Sequence, residues 1–375
     1  MTDIHCFSFA PVQKLDHEYL VKLFTLGGPT VLGVKAPPAS SDLHFTLAYK
    51  ALIHELAKLL KSSPEEAKVL HAREERAKHF AKYIEMLLAD ARLQRLVLDN
   101  GIESLTFQEF SRYVKIDLKR VFRIEPLIKM LLESAKSFTE LLDDFDRRIK
   151  DSIKKEQFIG FKTIIAYRTG LDIALVNESE ARADFNRYRE GEEKEAWFGP
   201  PVKRLRDFLL LYTIERAREL DVFVQIHTGL GDTDIIGDKC DPILLLNLLK
   251  REETLPTTII LIHGGYPYTI EAAWLSKVFP NVYFELSTAI PPTFAPAVSA
   301  ERYRQVIQIT PVTKIVYGSD AIELPELHWF SAKLAKAALA EALAQLVNED
   351  SLNEEDAYEA AGMILNQNAQ SLLGH

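Results

Sequence analysis

The sequence predicts a single α/β domain over residues 1–375, built as a TIM barrel of eight β/α units with a helical insertion after the first strand. Apolar, β-rich runs alternate with amphipathic helical patterns, which indicates a parallel sheet. There are eight such runs, the number that closes a barrel. No Gly-x-Gly-x-x-Gly motif follows any run, which argues against a dinucleotide-binding open sheet.

The predicted strands follow one another at regular intervals. The first is "TDIHCFSF" near the amino terminus, and the others lie within 93–102, 119–126, 158–171, 222–232, 258–268, 281–292 and 314–326. Each run is nearly continuous in apolar residues, as expected for a strand that is covered on both faces.

Helical patterns fill the intervals between the strands. After the fifth strand, Asp241 is placed to cap a helix whose first residue is Pro242. Between the first two strands, residues 40–90 contain "LAYKALIHELAKLL" and "AREERAKHFAKYIEMLLADARL", with apolar residues three and four positions apart. We expect this insertion to form a helical subdomain over one end of the barrel, within the single domain.

Composition restricts the class of protein and its partners. The net charge of -9 argues against a nucleic-acid surface. Two cysteines cannot form a disulfide framework, which favours a reducing, cytoplasmic location. There is no signal-peptide pattern and no apolar stretch long enough to span a membrane. We expect a small-molecule substrate and no nucleic-acid or membrane partner, and we leave open a homo-oligomer.

Polar residues at the strand ends indicate a metal site. A TIM barrel places its active site at the carboxyl ends of the strands. Strand 1 ends at His5, strands 5 and 6 end at His227 and His263, and strand 8 ends at Asp320. Neutral imidazoles and a carboxylate bind Zn²⁺ or a similar ion and leave a position for water. Asp320 can then accept the water's proton as general base.

Five segments carry a resemblance to a known family. They are "GFKTIIAYRTGL", "IHTGLGDTDI", "LIHGGYPY", "NVYFELS" and "KIVYGSDAIELPE", with a weaker match at "TDIHC". Together they resemble the amidohydrolase superfamily, in particular the amidohydrolase-2 group, and are most similar to the barrel domains found alone in bacteria or fused to glutamine synthetase-like domains.

The resemblance implies a distorted (β/α)₈ barrel with one or two metal ions. It implies that His5, His227 and Asp320 are metal ligands. It implies that His263 is a second-metal ligand or a catalytic group that polarises the substrate. We expect zinc as the cofactor, with manganese as the alternative.

Several nearby residues have more than one interpretation. Lys162 is either a carboxylated bridge between two ions, an ion-pair partner in the barrel mouth or a contact to a substrate carboxylate. Tyr167 and Arg168 follow on the same strand, and an arginine there suits bidentate binding of a carboxylate, or it pairs with a loop acid. Glu326 holds a substrate amine or caps the next helix. His328 could line the mouth of the barrel.

Phe7 departs from the family pattern. In the family motif Asp-x-His-x-His the corresponding residue is a second histidine. This chain has phenylalanine there, and a phenyl ring cannot bind a metal. Because alternate residues of a strand share a face, Phe7 is expected beside His5 in the barrel mouth.

Three functions remain open at this point. The first is a metal-dependent hydrolase acting on a C–N bond, in an amide or a cyclic amide, and this is the function we expect. The second is a metal-dependent decarboxylase of an aromatic or related carboxylic acid. The third is a degenerate barrel with weakened metal binding, which the phenylalanine at position 7 favours.

Overall fold

Eight parallel strands form the core of the protein. The computed structural model describes residues 1–23, 40–191, 202–232, 234–287 and 296–374. Each strand pairs with the next one along the chain, in the order β1 to β8. The strands are β1 (Thr2–Cys6), β2 (Arg95–Asp99), β3 (Asp117–Arg123), β4 (Gly160–Thr163), β5 (Phe223–His227), β6 (Ile259–Ile262), β7 (Val282–Glu285) and β8 (Ile315–Val316).

Backbone hydrogen bonds join the last strand to the first. The Ile4 N–H donates to the Tyr317 carbonyl at 3.0 Å, and the Asp320 N–H donates to the His5 carbonyl at 2.9 Å. Strand β8 is only two residues long, so most of this junction is made by the residues that follow it. The prediction of an eight-stranded TIM barrel is confirmed.

Helices connect the strands in turn. A helix or a pair of helices follows most strands, and the longest helix follows β8. The described helices are α1 (His17–Lys22), α2 (Ser40–Leu43), α3 (Leu47–Leu60), α4 (Glu66–Ala77), α5 (Phe80–Ala91), α6 (Phe107–Tyr113), α7 (Ile124–Ser134), α8 (Phe138–Lys154), α9 (Glu178–Arg189), α10 (Lys203–Glu219), α11 (Leu246–Leu249), α12 (Thr269–Val278), α13 (Pro296–Ile309), α14 (Pro325–Asn348), α15 (Glu354–Gly362) and α16 (Asn368–Leu373).

Local side-chain chemistry sets several helix starts. The Asp241 carboxylate accepts the Ile243 N–H at 2.9 Å, as the sequence predicts, but the turn that it caps is a 3₁₀ helix over Pro242–Leu245 that precedes α11. Thr106 and Glu109 form a reciprocal capping box at the start of α6. These caps satisfy backbone N–H groups that a helix leaves without an internal partner.

The centre of the barrel is filled by one apolar layer. Its members come from six different strands, so they can meet only inside the barrel. They pack beneath the polar residues at the carboxyl ends of the strands. The layer consists of Ile4, Val97, Val121, Phe223, Ile260, Ile262 and Val316, joined by Ala369 of α16.

Helices α3, α4 and α5 of the insertion pack against α14 through a separate apolar cluster. A buried ion pair lies within this contact, where the Arg73 Nε of α4 is 2.6 Å from the Glu326 Oε1 of α14. The Tyr83 hydroxyl of α5 donates to the same oxygen at 2.8 Å. The insertion is therefore held to the barrel by polar as well as apolar contacts. None of the described helices combines the length and the apolar character that a membrane span requires.

Candidate metal centre

Five polar side chains meet above the apolar layer of the barrel. His5 belongs to β1, Lys162 to β4 and His227 to the end of β5, while His263 directly follows β6 and Asp320 lies four residues after the end of β8. All five are at most 8% exposed. They line a cavity of about 500 Å³, a volume that suits a small organic ligand.

Two histidines and one carboxylate converge on a single point in this cavity. The His5 Nε2 lies 3.0 Å from the Asp320 Oδ1, and the His263 Nδ1 lies 3.8 Å from the Asp320 Oδ2. One nitrogen or oxygen atom of each residue lies within 4.8 Å of those of the other two. Imidazole nitrogen and carboxylate oxygen are the donors that zinc and manganese accept, so these residues fit a divalent ion.

His227 lies directly beside this group. Its ring centroid is 4.4 Å from that of His263, and its buried Nε2 has no hydrogen-bond partner among the described residues. A buried nitrogen without a partner is costly, and coordination of a metal ion would satisfy it. The sequence predicted a role for His5, His227, His263 and Asp320. In the structure the His263 Nδ1 lies 3.8 Å from the Asp320 Oδ2, a distance at which both atoms could bind one ion.

His263 and Asp320 both have left-handed backbones. Their φ angles are 72° and 52°, values that residues other than glycine rarely adopt. The His263 N–H donates to the Glu285 Oε2 at 2.9 Å, and its Nδ1 is 2.8 Å from the Ser287 Oγ. Such conformations persist when the surroundings hold them in place, and they cluster at functional sites.

Asp3 links the two strands that supply His5 and Asp320. Its Oδ1 accepts the His5 N–H at 3.2 Å and the Ser319 N–H at 3.0 Å. One carboxylate oxygen therefore fixes the backbone beside both side chains. The aspartate of the "TDIHC" motif has a positional role in this structure.

Burial controls the charges at the centre. It holds the pKa values of His5, His227 and His263 well below their usual range, so the imidazoles are neutral and have lone pairs available for a metal. Burial also raises the pKa of Asp320 to about 7 and lowers the pKa of Lys162 to about 8. The Lys162 Nζ lies 3.3 Å from the His5 Nε2.

Phe7 faces the cavity, as the sequence predicts. Its ring centroid is 5.5 Å from that of His5, in an edge-to-face arrangement. The Arg123 guanidinium lies 5.4 Å from the Phe7 ring centroid, and the Arg123 Nε donates to the Asp99 carboxylate at 3.0 Å. The sequence analysis missed this buried pair, although Asp99 and Arg123 are the last residues of β2 and β3. Reading every strand end for polar residues would have found both.

Tyr167 and Arg168 both line the cavity. The Tyr167 hydroxyl accepts the Asp232 N–H at 3.0 Å, and its ring centroid is 4.5 Å from that of His227. The Arg168 Nη1 lies 3.5 Å from the Asp234 Oδ2. Tyr167 therefore supports the loop after β5 as well as the cavity wall, and the loop acid that the sequence offered as a partner of Arg168 is Asp234.

Three further charged residues of the cavity wall lie on helices and were missed. They are Glu125 and Lys129 of α7 and Arg206 of α10. The Glu125 Oε1 accepts the Thr163 hydroxyl at 2.5 Å and the Ile164 N–H at 2.8 Å. No sequence signal separates these positions from ordinary helix surface, because their cavity contacts depend on how the helices pack.

Glu326 does not line this cavity, contrary to its expected contact with a substrate amine. Its carboxylate is buried and holds the Arg73 guanidinium and the Tyr83 hydroxyl. His328 does not line the cavity either and is fully buried. Both side chains belong to the amino-terminal turns of α14, which pack against the insertion and β1.

Comparison with known proteins relates this chain to a family. The sequence pattern of the amidohydrolase family matches residues 189–374. Protein fluG of Emericella nidulans is 29% identical over 304 residues, which cover 75% of this chain and 35% of fluG. The chain therefore spans about a third of the length of that relative.

Solved structures share the fold over the whole chain. A "putative metal-dependent hydrolase" from Lactobacillus casei is 24% identical, with a TM-score of 0.85, covering 100% of this chain and 94% of that one. The uronate isomerase of Thermotoga maritima is 13% identical, with a TM-score of 0.72 and the same coverage. At these identities the similarity shows a shared fold and does not by itself show a shared function.

Proposed function

The chain is an amidohydrolase-superfamily barrel, and from that premise we propose that it is a metal-dependent hydrolase. The bond cleaved is a C–N bond, in an amide or a cyclic amide, and the attacking group is a water that the metal, when bound, would activate. The substrate is a small molecule, because the cavity of about 500 Å³ has the size of a small-ligand site.

The observation that carries this proposal is the position of Asp320. Its carboxylate lies 3.0 Å from the His5 imidazole and 3.8 Å from the His263 imidazole, in the lining of the cavity. Hydrolysis by an activated water needs a proton acceptor beside the ion. A carboxyl whose pKa is raised to about 7 exchanges protons near neutral pH.

Each residue of the centre has a role in the proposal. His5 and Asp320 would hold the ion together with His227, whose Nε2 has no partner among the described residues, and zinc is the proposed metal, with manganese second. When bound, a divalent ion lowers the pKa of a coordinated water and polarises the scissile carbonyl. Asp320 accepts the proton of the water. His263, fixed by Ser287 and Glu285, contacts the substrate oxygen.

The cavity wall positions the substrate. Arg168 and Lys162 are cations on the wall, and an arginine fork binds a carboxylate in two places at once. Tyr167 offers a flat ring beside His227 and holds the loop after β5. We propose that these three residues orient a substrate whose scissile carbonyl faces His263.

A paired assay tests the reaction class. The zinc-loaded protein is incubated with N-acyl amino acids and lactams, and amine or carboxylate release is measured. A parallel panel of aromatic acids is monitored for CO₂. We expect turnover in the first panel that disappears when the metal is removed by a chelator and returns with zinc. CO₂ release without amide cleavage would replace the hydrolase with a decarboxylase. Failure to retain zinc, together with no turnover of either panel, would favour a degenerate barrel with weakened metal binding.

A further inference from the structure

A second cluster of potential metal ligands lies behind the cavity. It consists of Asp3 and Cys6 of β1 and His328 of α14, all completely buried. One ligand atom of each residue lies within 4.8 Å of those of the other two. None of the three lines the cavity that holds His5 and Asp320. The cluster is therefore buried between the barrel wall and the helix, outside that cavity.

The polar atoms of this cluster are largely without partners. Among the described residues, neither ring nitrogen of His328 has a hydrogen-bond partner, and neither does the Asp3 Oδ2. The Cys6 thiol makes one long contact, 3.6 Å to the Val97 carbonyl. Buried polar groups are nearly always paired with protein, water or an ion. Leaving such groups buried without a partner is destabilising.

We propose that Asp3, Cys6 and His328 bind one divalent metal ion of the zinc type, separate from the metal centre in the cavity. A thiolate, an imidazole and a carboxylate are the three kinds of donor found in zinc sites. The three ligand atoms lie within 4.8 Å of one another, so an ion at the centre of the triangle would be no more than about 2.8 Å from each of them. Zinc bonds to such donors are about 2.0–2.3 Å long. Small side-chain rotations bring the donors to bonding distance.

Two further buried hydroxyls are candidates for a fourth bond. The hydroxyls of Tyr317 and Ser331 are buried and have no partner among the described residues. Ser331 follows His328 by three residues on α14, which places both on the same face of the helix. The Tyr317 hydroxyl interacts electrostatically with Asp3 and Cys6. When the ion binds, the Cys6 thiol releases its proton to solvent and the thiolate sulfur donates the electron pair.

The ion would stabilise the frame of the active site. The Asp3 Oδ1 already holds the backbone N–H groups of His5 and Ser319. An ion on the Oδ2 would fix the other oxygen and join β1 to α14. This inference does not rest on the proposed hydrolase activity.

Cobalt substitution tests the site directly. The protein is expressed in cobalt-supplemented medium, so that ions enter during folding, and its near-ultraviolet spectrum is recorded. A thiolate-to-cobalt charge-transfer band is expected, together with a metal content near two ions per chain. The cavity centre contains only nitrogen and oxygen donors, so this band reports the second site alone.

Matched variants assign the band. Cys6→Ser and His328→Gln should each lose the band and one equivalent of metal. Cys240→Ser changes the other buried cysteine of the chain and should keep both. Asp320→Asn should keep the band even if the cavity ion is lost.

One measurement avoids the possibility that a variant fails to fold. X-ray absorption of the zinc-loaded, unmodified protein should show sulfur in the first coordination shell. A spectrum with nitrogen and oxygen only, or a high-resolution crystal structure with an ordered water in this cluster, would overturn the proposal.

Discussion

Asp320 is tied to His5 at two levels. Its N–H donates to the His5 carbonyl at 2.9 Å, and its Oδ1 lies 3.0 Å from the His5 Nε2. The backbone bond fixes the separation of the two Cα atoms, so the side chains meet even though Asp320 has a left-handed conformation. Two of the proposed metal ligands, His5 and Asp320, are therefore placed by barrel closure itself.

Asp320→Asn should remove nearly all turnover while leaving the barrel folded. The amide cannot accept the proton of the attacking water, and loss of a general base costs about 10²–10⁴ in rate. Turnover is measured on any compound of the amide panel that the unmodified protein cleaves, with circular dichroism as the fold control. Asp238→Asn, at an exposed position outside the cavity, should leave the rate unchanged. Substantial activity in folded Asp320→Asn would refute the assignment.

His227→Asn and His263→Asn should affect different quantities. His227 is proposed as a ligand through its unpartnered Nε2, so its loss should weaken zinc binding by more than the 10–100-fold typical of groups outside the coordination shell. His263→Asn should mainly lower kcat and weaken zinc binding less. Calorimetric zinc titration and kinetics on both variants separate the two. The reverse pattern would make His263 the ligand.

Phe7→His should raise zinc affinity, and activity with it. Phe7 faces the cavity beside His5, so an imidazole there adds a donor where the phenyl ring offers none. Phe7→Leu is the matched control, because it removes the ring without adding a donor and should not raise affinity. Equal zinc affinity in Phe7→His and the unmodified protein would show that position 7 does not reach the ion.

Gly231→Ala should reduce kcat/KM by disturbing the cavity wall. A Cβ at this position would lie 1.7 Å from the Tyr167 hydroxyl and 3.1 Å from the His227 Cε1, so one of the rings must move. Adding Tyr167→Phe removes the closest atom and should restore part of the activity. Gly237→Ala is the control, since its Cβ would meet no atom within 4 Å. An unaffected Gly231→Ala enzyme would mean that this wall does not contact the substrate.

Glu326→Gln should destabilise the protein without a direct effect on substrate binding. It removes one charge of a buried pair and leaves the Arg73 guanidinium uncompensated, which costs about 3–5 kcal/mol. Glu55→Gln breaks a more exposed pair with Lys58 and should cost no more than about 1 kcal/mol. Urea unfolding measures both. A raised KM with unchanged stability in Glu326→Gln would restore its expected role in substrate binding.

The sequence predicted the barrel well because both of its signals are local. Apolar runs predict the strands, and a polar residue at or just after the end of a run lies at the carboxyl end of the barrel. This reasoning placed His5, His227 and Asp320 beside one cavity. Side chains that depend on packing were not predictable in this way. Glu326 pairs with Arg73 across 253 positions of the chain, and Arg206 reaches the cavity from α10. No pattern near either residue carries that information.

Closure of the barrel also has a consequence for the order of folding. The Asp3 carboxylate and the Ser319 N–H that it accepts are 316 positions apart, and His5 and Asp320 meet at the same junction. Contacts over such separations form slowly, because a long loop must close first. During refolding, high zinc affinity in the cavity should therefore appear late, after most of the helical circular dichroism signal has returned. The rate of metal uptake would then report the rate at which β8 joins β1.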